Sequence, residues 1–384
     1  MKTQIKLLAL FISILSFTAC NANNKTQNIA LNSTEITHPE PNKQFIKVAL
    51  LLDTSNSMDG LIDQAKAQLW EIVNELSYAK CGTQKPNLQI ALYEYGNDRL
   101  NADEGYIKQV LAFSDDLDEI SKELFSLTTN GGNEYCGQVI QTSLNQLNWG
   151  KNADDLKLIF IAGNEPFTQG RVSYKDASAN AKEKDVTVNT IFCGDYNQGI
   201  STYWKDGAAL THGDYMAINH NKATVHVASP YDDQILQLNI KLNKTYVAYG
   251  QRGKEKRLMQ AEQDANASGY SKANAVGRTV SKSSHLYKNS TWDLVDAVET
   301  EEVAVEDLDK EALPDELKGK NTTEIKAYVT KKQTERKVIQ KQIQDLNAKR
   351  KAYISEKKKA TSNGLENALT KAIKTQAKKK KYTW

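Results

Sequence analysis

Apolar residues from Phe45 to about Tyr249 alternate between short continuous runs and stretches with helical spacing. The runs indicate buried strands, and the spaced stretches indicate helices. The runs lie at 46–52, 88–95, 107–113, 156–162, 186–193 and 215–218, and the helical stretches at 61–78, 117–127, 139–147 and 232–249. This alternation predicts an α/β fold with a doubly wound, mostly parallel sheet. In such sheets, ligands bind beyond the carboxyl ends of the central strands.

The N-terminus has the parts of a bacterial export signal. Lys2 and Lys6 carry positive charge, an apolar run of 11 residues follows at 7–17, and small residues precede Cys20. This arrangement resembles a lipoprotein signal peptide at 1–19, with Cys20 as the lipidated first residue of the mature chain. An ordinary cleaved signal with a chance cysteine is the alternative. The run is too short for a permanent membrane span, so acyl chains would attach the protein to the bacterial cell envelope, facing the periplasm or at the cell surface.

The first predicted strand ends in a loop with closely spaced oxygen-bearing side chains. Its sequence is Asp53-Thr54-Ser55-Asn56-Ser57, and a predicted helix follows. This loop resembles the first metal-site loop of von Willebrand factor A-type domains. In the order of that family, 90–95 resembles its second strand, 113–117 resembles a turn before a helix, and Gly131-Gly132 resembles the glycines before its second site loop. The resemblance covers about residues 45–249 and implies a Rossmann-like fold.

The resemblance also implies a site for a hard divalent cation, Mg²⁺ or alternatively Mn²⁺ or Ca²⁺, that bridges to a protein partner. Ser55 and Ser57 would coordinate the cation, and Asp53 would lie close and hold waters. The alternative is a domain that keeps the fold without metal, in which Ser55 caps the following helix.

The sequence departs from the family's metal-site pattern at two positions. The second loop has no threonine in register, so Asn133 or Glu134 takes its place, and we favour the carboxylate of Glu134. Asn164 stands where the family has an aspartate. A carboxylate at Glu134 would restore the charge missing at Asn164, and it would make the cation less attractive to a partner's carboxylate.

Three cysteines follow the predicted anchor. Cys136 and Cys193 are expected at the site end of the sheet, and Cys81 at the opposite end. In an oxidising compartment, Cys136 and Cys193 form the expected disulfide, with two buried thiols as the alternative.

Composition divides the chain into six predicted segments. They are the signal (1–19), a lipidated cysteine with a disordered tether (20–44), the α/β domain (45–249), a mixed helical and polar region (250–320), a long amphipathic helix (321–358) and a basic tail (359–384). The end of this tail, 378–384, is expected to be solvated, with anionic lipid or lipopolysaccharide as alternative ligands. Residues 331–384 contain 17 Lys and Arg against 4 acids, and 293–316 contain 11 acids and one lysine. We therefore expect the long helix to pack on the acidic segment in a monomeric soluble part, or else to form an interface between chains.

The chain contains no sequence motif of a known catalytic type. A nucleophile elbow, a His-Glu-x-x-His zinc motif and a phosphate loop are all missing from the sequence, and the five histidines are scattered. The net charge of +3 does not favour nucleic acid. The leading hypothesis is therefore a lipid-anchored protein that binds an unknown protein ligand and is not an enzyme. The alternatives are a structural envelope protein with a metal-free domain and, more weakly, an exported hydrolase.

Overall fold

A computed structural model describes residues 44–222, 226–309, 313–357 and 365–384. Residues 43–384 form one compact unit. The predicted signal, Cys20 and most of the predicted tether lie outside the described residues. Within them, the structure has no helix with the length and apolar character needed to cross a membrane.

A six-stranded sheet forms the centre of this unit, in the order β4-β3-β1-β5-β6-β7. Its strands are β1 (Phe45–Asp53), β3 (Asn87–Tyr95), β4 (Ile107–Ser114), β5 (Leu156–Gly163), β6 (Thr187–Cys193) and β7 (Tyr215–Ile218), and β2 (Lys80–Cys81) pairs separately with β8 (Tyr382–Thr383). All neighbours in the large sheet are parallel except β3 and β4. In register, Leu52 of β1 lies between Glu94 and Ala162, so β1, β3 and β5 end at one edge.

Helices cover both faces of the sheet. They are α1 (Asp59–Leu76), α2 (Leu117–Ser126), α3 (Cys136–Gln146), α4 (Tyr174–Glu183), α5 (Tyr196–Ser201), α6 (Trp204–Ala209), α7 (Asp232–Asn243), α8 (Gly253–Tyr270), α9 (Lys272–Lys282), α10 (Leu294–Glu299), α11 (Thr322–Lys357) and α12 (Leu365–Lys379). Successive residues of β1 face opposite cores, as the period of a strand requires. Val48 packs with α1, α2, α7, α9 and α12, whereas Ala49 packs with α3, α4 and α6.

The predicted fold class is confirmed. The sheet is doubly wound and mostly parallel, and a helical C-terminal region with one long helix follows it. The sequence analysis did not predict α4, α5 or α6, and it described 250–320 only as mixed, although α8, α9 and α10 are formed there.

The long helix α11 packs against the acidic segment, as the charge pattern predicts. Arg336 is 3% exposed, and its Nη1 lies 2.6 Å from Oδ2 of Asp293. The same guanidinium pairs with Asp296 and lies 4.3 Å from the ring centroid of Tyr246. Ile343 is fully buried in the core on the α1 face of the sheet. This helix is therefore part of the same compact unit as the sheet.

The solvated end predicted at 378–384 is confirmed for Lys378, Lys379 and Lys381, which are exposed, and is wrong for Tyr382, which is 2% exposed. Helix α12 packs on α1, and its apolar stripe is buried in the core on that face of the sheet. The buried residues of the stripe are Leu365, Leu369, Ala372, Ile373 and Ala377. Tyr382 then pairs with Cys81, and the Trp384 indole N–H donates to the carbonyl of Glu75 at 3.0 Å. The apolar residues recur every three or four positions between the lysines, so the lysines surround a core-facing stripe.

A buried charged network connects α2, α8 and α9. Arg278 is 1% exposed and pairs with Asp118 at 2.7 Å and with Asp264 at 2.6 Å. Lys282 is fully buried, and its Nζ lies 2.9 Å from Asp264. Buried ions of this kind must be mutually paired, because an isolated buried charge is strongly unfavourable.

Candidate metal centre

The loop after β1 brings three oxygen-bearing side chains to the edge of the sheet. The backbone N–H of Ser55 donates to Oδ1 of Asp53 at 2.7 Å, and the hydroxyls of Ser55 and Ser57 lie 3.2 Å apart. A turn of 3-10 helix at Asn56–Met58 leads into α1. The Ser55 side chain makes no capping hydrogen bond to this turn. Its hydroxyl is therefore turned toward the site, in contrast to the capping alternative.

Glu134 and Asn164 reach the same point from two other loops. Glu134 precedes α3 and is 4% exposed, and its side chain lies beside Asp53, since a Cβ atom at Gly96 would contact both. Asn164 follows β5, and its Nδ2 donates to the Ser57 hydroxyl at 3.2 Å. Asn133, the alternative to Glu134 at this position, is exposed. The structure thus brings all five predicted site residues together.

Two buried carboxyl groups, Asp53 and Glu134, lie side by side in the candidate site. Asp53 is fully buried, and among the described residues its Oδ2 has no hydrogen-bond partner; Oε2 of Glu134 is likewise buried and unpartnered there. Burial and the neighbouring Glu134 hold the pKa of Asp53 well above its usual range. Burial also raises the pKa of Glu134. Oδ1 of Asn164 is a third buried oxygen without a partner.

Two glycines make room for this pair. A Cβ atom at Gly96 would lie 2.7 Å from Cγ of Glu134 and 2.9 Å from Oδ1 of Asp53, and its φ of 78° is in the left-handed region. A Cβ atom at Gly163 would lie 3.1 Å from Oδ2 of Asp53 and 2.6 Å from the Tyr95 hydroxyl. Any side chain at either position would collide with the site. The sequence analysis did not identify either glycine.

The predicted disulfide between Cys136 and Cys193 is not formed in the structure. Both residues are buried free thiols. Cys136 packs in the core on the α3 face, where its Sγ lies 4.0 Å from the Tyr95 hydroxyl, whereas Cys193 packs in the core on the α1 face. The sheet separates the two side chains, although both lie at its site end as expected.

One histidine that the sequence analysis set aside lies beside the site. His220 follows β7, and its ring lies next to backbone groups of Ser57 and Cys193. Gln64 of α1 fixes this loop, because its Nε2 donates to the carbonyls of Asn219 at 2.8 Å and His220 at 3.0 Å. No spacing in the sequence connects His220 with the loop after β1, so only the fold could place it.

The chemistry of the donors suits a hard divalent cation. Two carboxyl groups, two hydroxyls and one side-chain amide converge, and Mg²⁺, Mn²⁺ and Ca²⁺ all prefer oxygen ligands. Within the described residues, no group of three or more His, Cys, Asp or Glu side chains is arranged to hold a metal. The candidate site is consistent with that finding, since only two of its five donors belong to these types. The unpartnered oxygens of Asp53 and Glu134 fit a cation placed between them.

Comparison with known proteins identifies the domain that carries this site. Residues 47–202 match the family model of the von Willebrand factor type A domain. Among solved structures, the chain is similar to the conserved hypothetical protein BatB from Bacteroides thetaiotaomicron, with 15% identity over 45% of this chain and 90% of that chain and a TM-score of 0.35. It is also similar to proximal thread matrix protein 1 from the mussel byssus, with 13% identity over 45% of this chain and 42% of that chain and a TM-score of 0.35. A third similar structure is the SpRpn10 VWA domain, with 14% identity over 45% of this chain and 87% of that chain and a TM-score of 0.34. No curated protein matches the chain. The part of the chain that carries the candidate site, residues 47–202, is a von Willebrand factor type A domain.

Proposed function

We propose that this protein is an exported, lipid-anchored binding protein whose von Willebrand factor type A domain binds a protein partner through a divalent cation. Asp53, Ser55, Ser57, Glu134 and Asn164 would hold the cation. The bound cation would supply a coordination position for an oxygen of the partner. The role is binding and not catalysis.

The observation that carries this proposal is the pair of facing carboxyl groups. A buried carboxylate is normally paired with a cation or with several hydrogen-bond donors. Asp53 and Glu134 instead have each other, and each keeps one oxygen without a partner. A divalent cation between them supplies the missing positive charge, and the hydroxyls of Ser55 and Ser57 are adjacent oxygen donors. The site is thus better suited to a cation than to a purely structural role.

Titration calorimetry of the full chain with Mg²⁺ and Mn²⁺ tests the cation. We expect saturable binding by the wild type and its loss in Asp53→Ala. Asp154→Asn is the matched control, because Asp154 is an exposed acid before β5, at the opposite edge of the sheet. Asn164→Asp should tighten binding by adding a charge to the donor set. Absence of binding up to millimolar cation, or equal binding by Asp53→Ala, would refute the cation site.

The anchor and the partner need separate experiments. The charged start, the apolar run and the small residues before Cys20 support lipidation at that cysteine. Metabolic labelling with palmitate should mark the wild type and not Cys20→Ala; equal labelling would exclude this anchor.

Capture of an envelope protein should depend on Mg²⁺ and fail with Asp53→Ala. Capture that EDTA leaves unchanged would show that the partner binds elsewhere.

A further inference from the structure

The loops that surround the candidate metal centre carry mainly negative charge. Among the described residues of these loops and the first residue of α1, six acidic residues are exposed or half-buried, against three basic residues. The acids are Asp59, Asp98, Asp103, Glu104, Glu165 and Asp195, and the bases are Arg99, Arg171 and Lys222. We call the acidic residues of these loops the acidic rim. The rim attracts positive charge and repels negative charge over about 8–10 Å at physiological salt.

The negative charges of Asp53 and Glu134 would compensate the positive charge of a bound cation, so the loaded centre would not attract an acidic ligand. A divalent cation carries two positive charges, and Asp53 and Glu134 together carry two negative charges when both are ionised. The loaded centre is then neutral, and the acidic rim decides the sign of the surface potential. Since Asp53 is fully buried and Glu134 is 4% exposed, solvent screens this internal compensation little.

An apolar ridge lies beside the rim. Tyr196, Ile200 and Tyr203 expose 49%, 38% and 50% of their surface. Tyr203 has a φ of 71°, which is unusual for a bulky residue and is found where local structure holds the chain under strain. We call these three residues the tyrosine ridge.

The tyrosine ridge is continuous with the site. The indole N–H of Trp204 donates to the carbonyl of Glu165 at 2.8 Å, and the N–H of Phe167 donates to the carbonyl of Thr202 at 3.0 Å. These bonds hold Tyr203 against the turn after β5, the turn that carries Asn164. A ligand at the metal centre would therefore lie within reach of both the ridge and the rim.

We propose that the acidic rim and the tyrosine ridge form a docking surface for a polypeptide segment that combines lysine or arginine with aliphatic side chains. This inference rests on the proposed function and names the chemistry of the partner. Charge complementarity with the rim selects the basic residues. The ridge offers apolar area to the aliphatic ones, and aromatic residues are common energetic centres of protein interfaces. An oxygen of the same segment, such as a backbone carbonyl, would approach the cation.

Two fluorescein-labelled synthetic peptides test the proposal with the full chain. One repeats Ser-Lys-Leu-Ser and the other repeats Ser-Glu-Leu-Ser, so that only the charge differs. In fluorescence anisotropy with Mg²⁺ present, we expect the lysine peptide to bind at least about tenfold more tightly than the glutamate peptide. A third peptide, in which serine replaces leucine, should bind about three- to tenfold more weakly than the lysine peptide if the ridge contributes apolar contact. Preference for the glutamate peptide, or no binding of either peptide, would overturn the proposal.

Three variants separate this surface from general attraction to an acidic protein. Tyr203→Ser should weaken the lysine peptide about three- to tenfold. Asp195→Asn should weaken it about two- to fivefold, and asparagine caps α5 as well as aspartate does, so the fold is retained. Asp154→Asn carries the same change at the opposite edge of the sheet and should have no effect. Equal effects of the last two variants would overturn the proposal.

The failure of this inference is distinguishable from failure of the metal site. Calorimetric binding of Mg²⁺ together with preference for the glutamate peptide would retain the cation and reject the docking surface. Absence of Mg²⁺ binding together with lysine-peptide binding that depends on Tyr203 and Asp195 would reject the cation and retain the surface.

Discussion

Glutamine in place of Glu134 should stabilise the metal-free protein and abolish its response to Mg²⁺. The substitution keeps the shape of the side chain and removes one of the two facing carboxyl groups. Without a cation, Oδ2 of Asp53 and Oε2 of Glu134 are both buried without partners. The new amide can donate a hydrogen bond to Asp53, so one repulsive contact becomes an attractive one.

The size of the effect follows from the burial of the pair. Two like charges at hydrogen-bond distance, about 3 Å, repel by about 5 kcal/mol at an effective dielectric constant of about 20. Uptake of a proton by the pair relieves much of this repulsion, and a buried acceptor without a partner costs about 1–3 kcal/mol. We therefore expect Glu134→Gln to raise the free energy of unfolding in EDTA by about 1–3 kcal/mol. For a compact unit of this size, that is an increase in Tm of about 1–4 °C.

Thermal unfolding in EDTA and in excess Mg²⁺ measures both parts of this prediction. The wild type should gain stability with Mg²⁺, because a ligand that binds only the folded state stabilises it. Glu134→Gln should be more stable in EDTA and should gain little from Mg²⁺. Glu104→Gln, at an exposed acid of the rim, should stay within about 0.5 kcal/mol of the wild type. A lower Tm of Glu134→Gln in EDTA, or an equal gain from Mg²⁺ in both proteins, would refute the reasoning.

Two further predictions concern the C-terminal region. Asp264→Asn should destabilise the protein by about 3–5 kcal/mol in urea unfolding near neutral pH, because it leaves Arg278 and Lys282 buried with too little negative charge. These bases hold the pKa of Asp264 below its ordinary value of 3.8 despite burial. The stabilisation by the Asp264 carboxylate is therefore present above pH 3.8 and is lost as the pH falls further. The difference in stability between Asp264→Asn and the wild type should shrink in that acidic range, and a difference independent of pH would contradict this account. Ile373→Asp should destabilise the whole compact unit by at least about 3 kcal/mol, since Ile373 is 1% exposed against the sheet; a far-ultraviolet melting curve identical to that of the wild type would show that α12 does not pack there.

The strands and the convergence of the candidate site residues could be predicted because both depend on local patterns. Central strands buried on both faces are continuous apolar runs, and the oxygen donors of Asp53 and Ser55 directly follow the first of them. Adjacent parallel strands end at one edge, which places Asn164 near them. The preference for Glu134 followed from ligand chemistry. His220 could not be found in this way, because its position depends on a loop after β7 and on its contact with α1.

The C-terminal helices could not be placed because their packing is long-range and partly ionic. Arg278 and Lys282 are residue types that are usually exposed, and nothing in the sequence around them indicates that α9 is buried. The basic tetrad at 378–381 suggested a solvated end, and the apolar positions of α12 before it, such as Leu369 and Ile373, gave no clear prediction of a buried helix. Long lysine side chains can lie beside an apolar stripe and keep their charge in water, so high charge density does not exclude a core-facing helix.

Buried and exposed acidic residues of the candidate site would have different effects on a binding partner. Charge that lies in the buried pair acts on the cation and is compensated there, because Asp53 and Glu134 have almost no contact with solvent. Charge in the rim acts on whatever approaches, because residues such as Asp195 are exposed. In the proposed cation site, the carboxylate of Glu134 and the amide of Asn164 keep the negative charge among the donors and place it in the buried pair, so a bound cation would be compensated there and would not attract an acid. Cation affinity and partner preference would therefore depend on different residues of this domain: Glu134→Gln should abolish cation binding, whereas Asp195→Asn should weaken the lysine peptide and leave cation affinity close to that of the wild type.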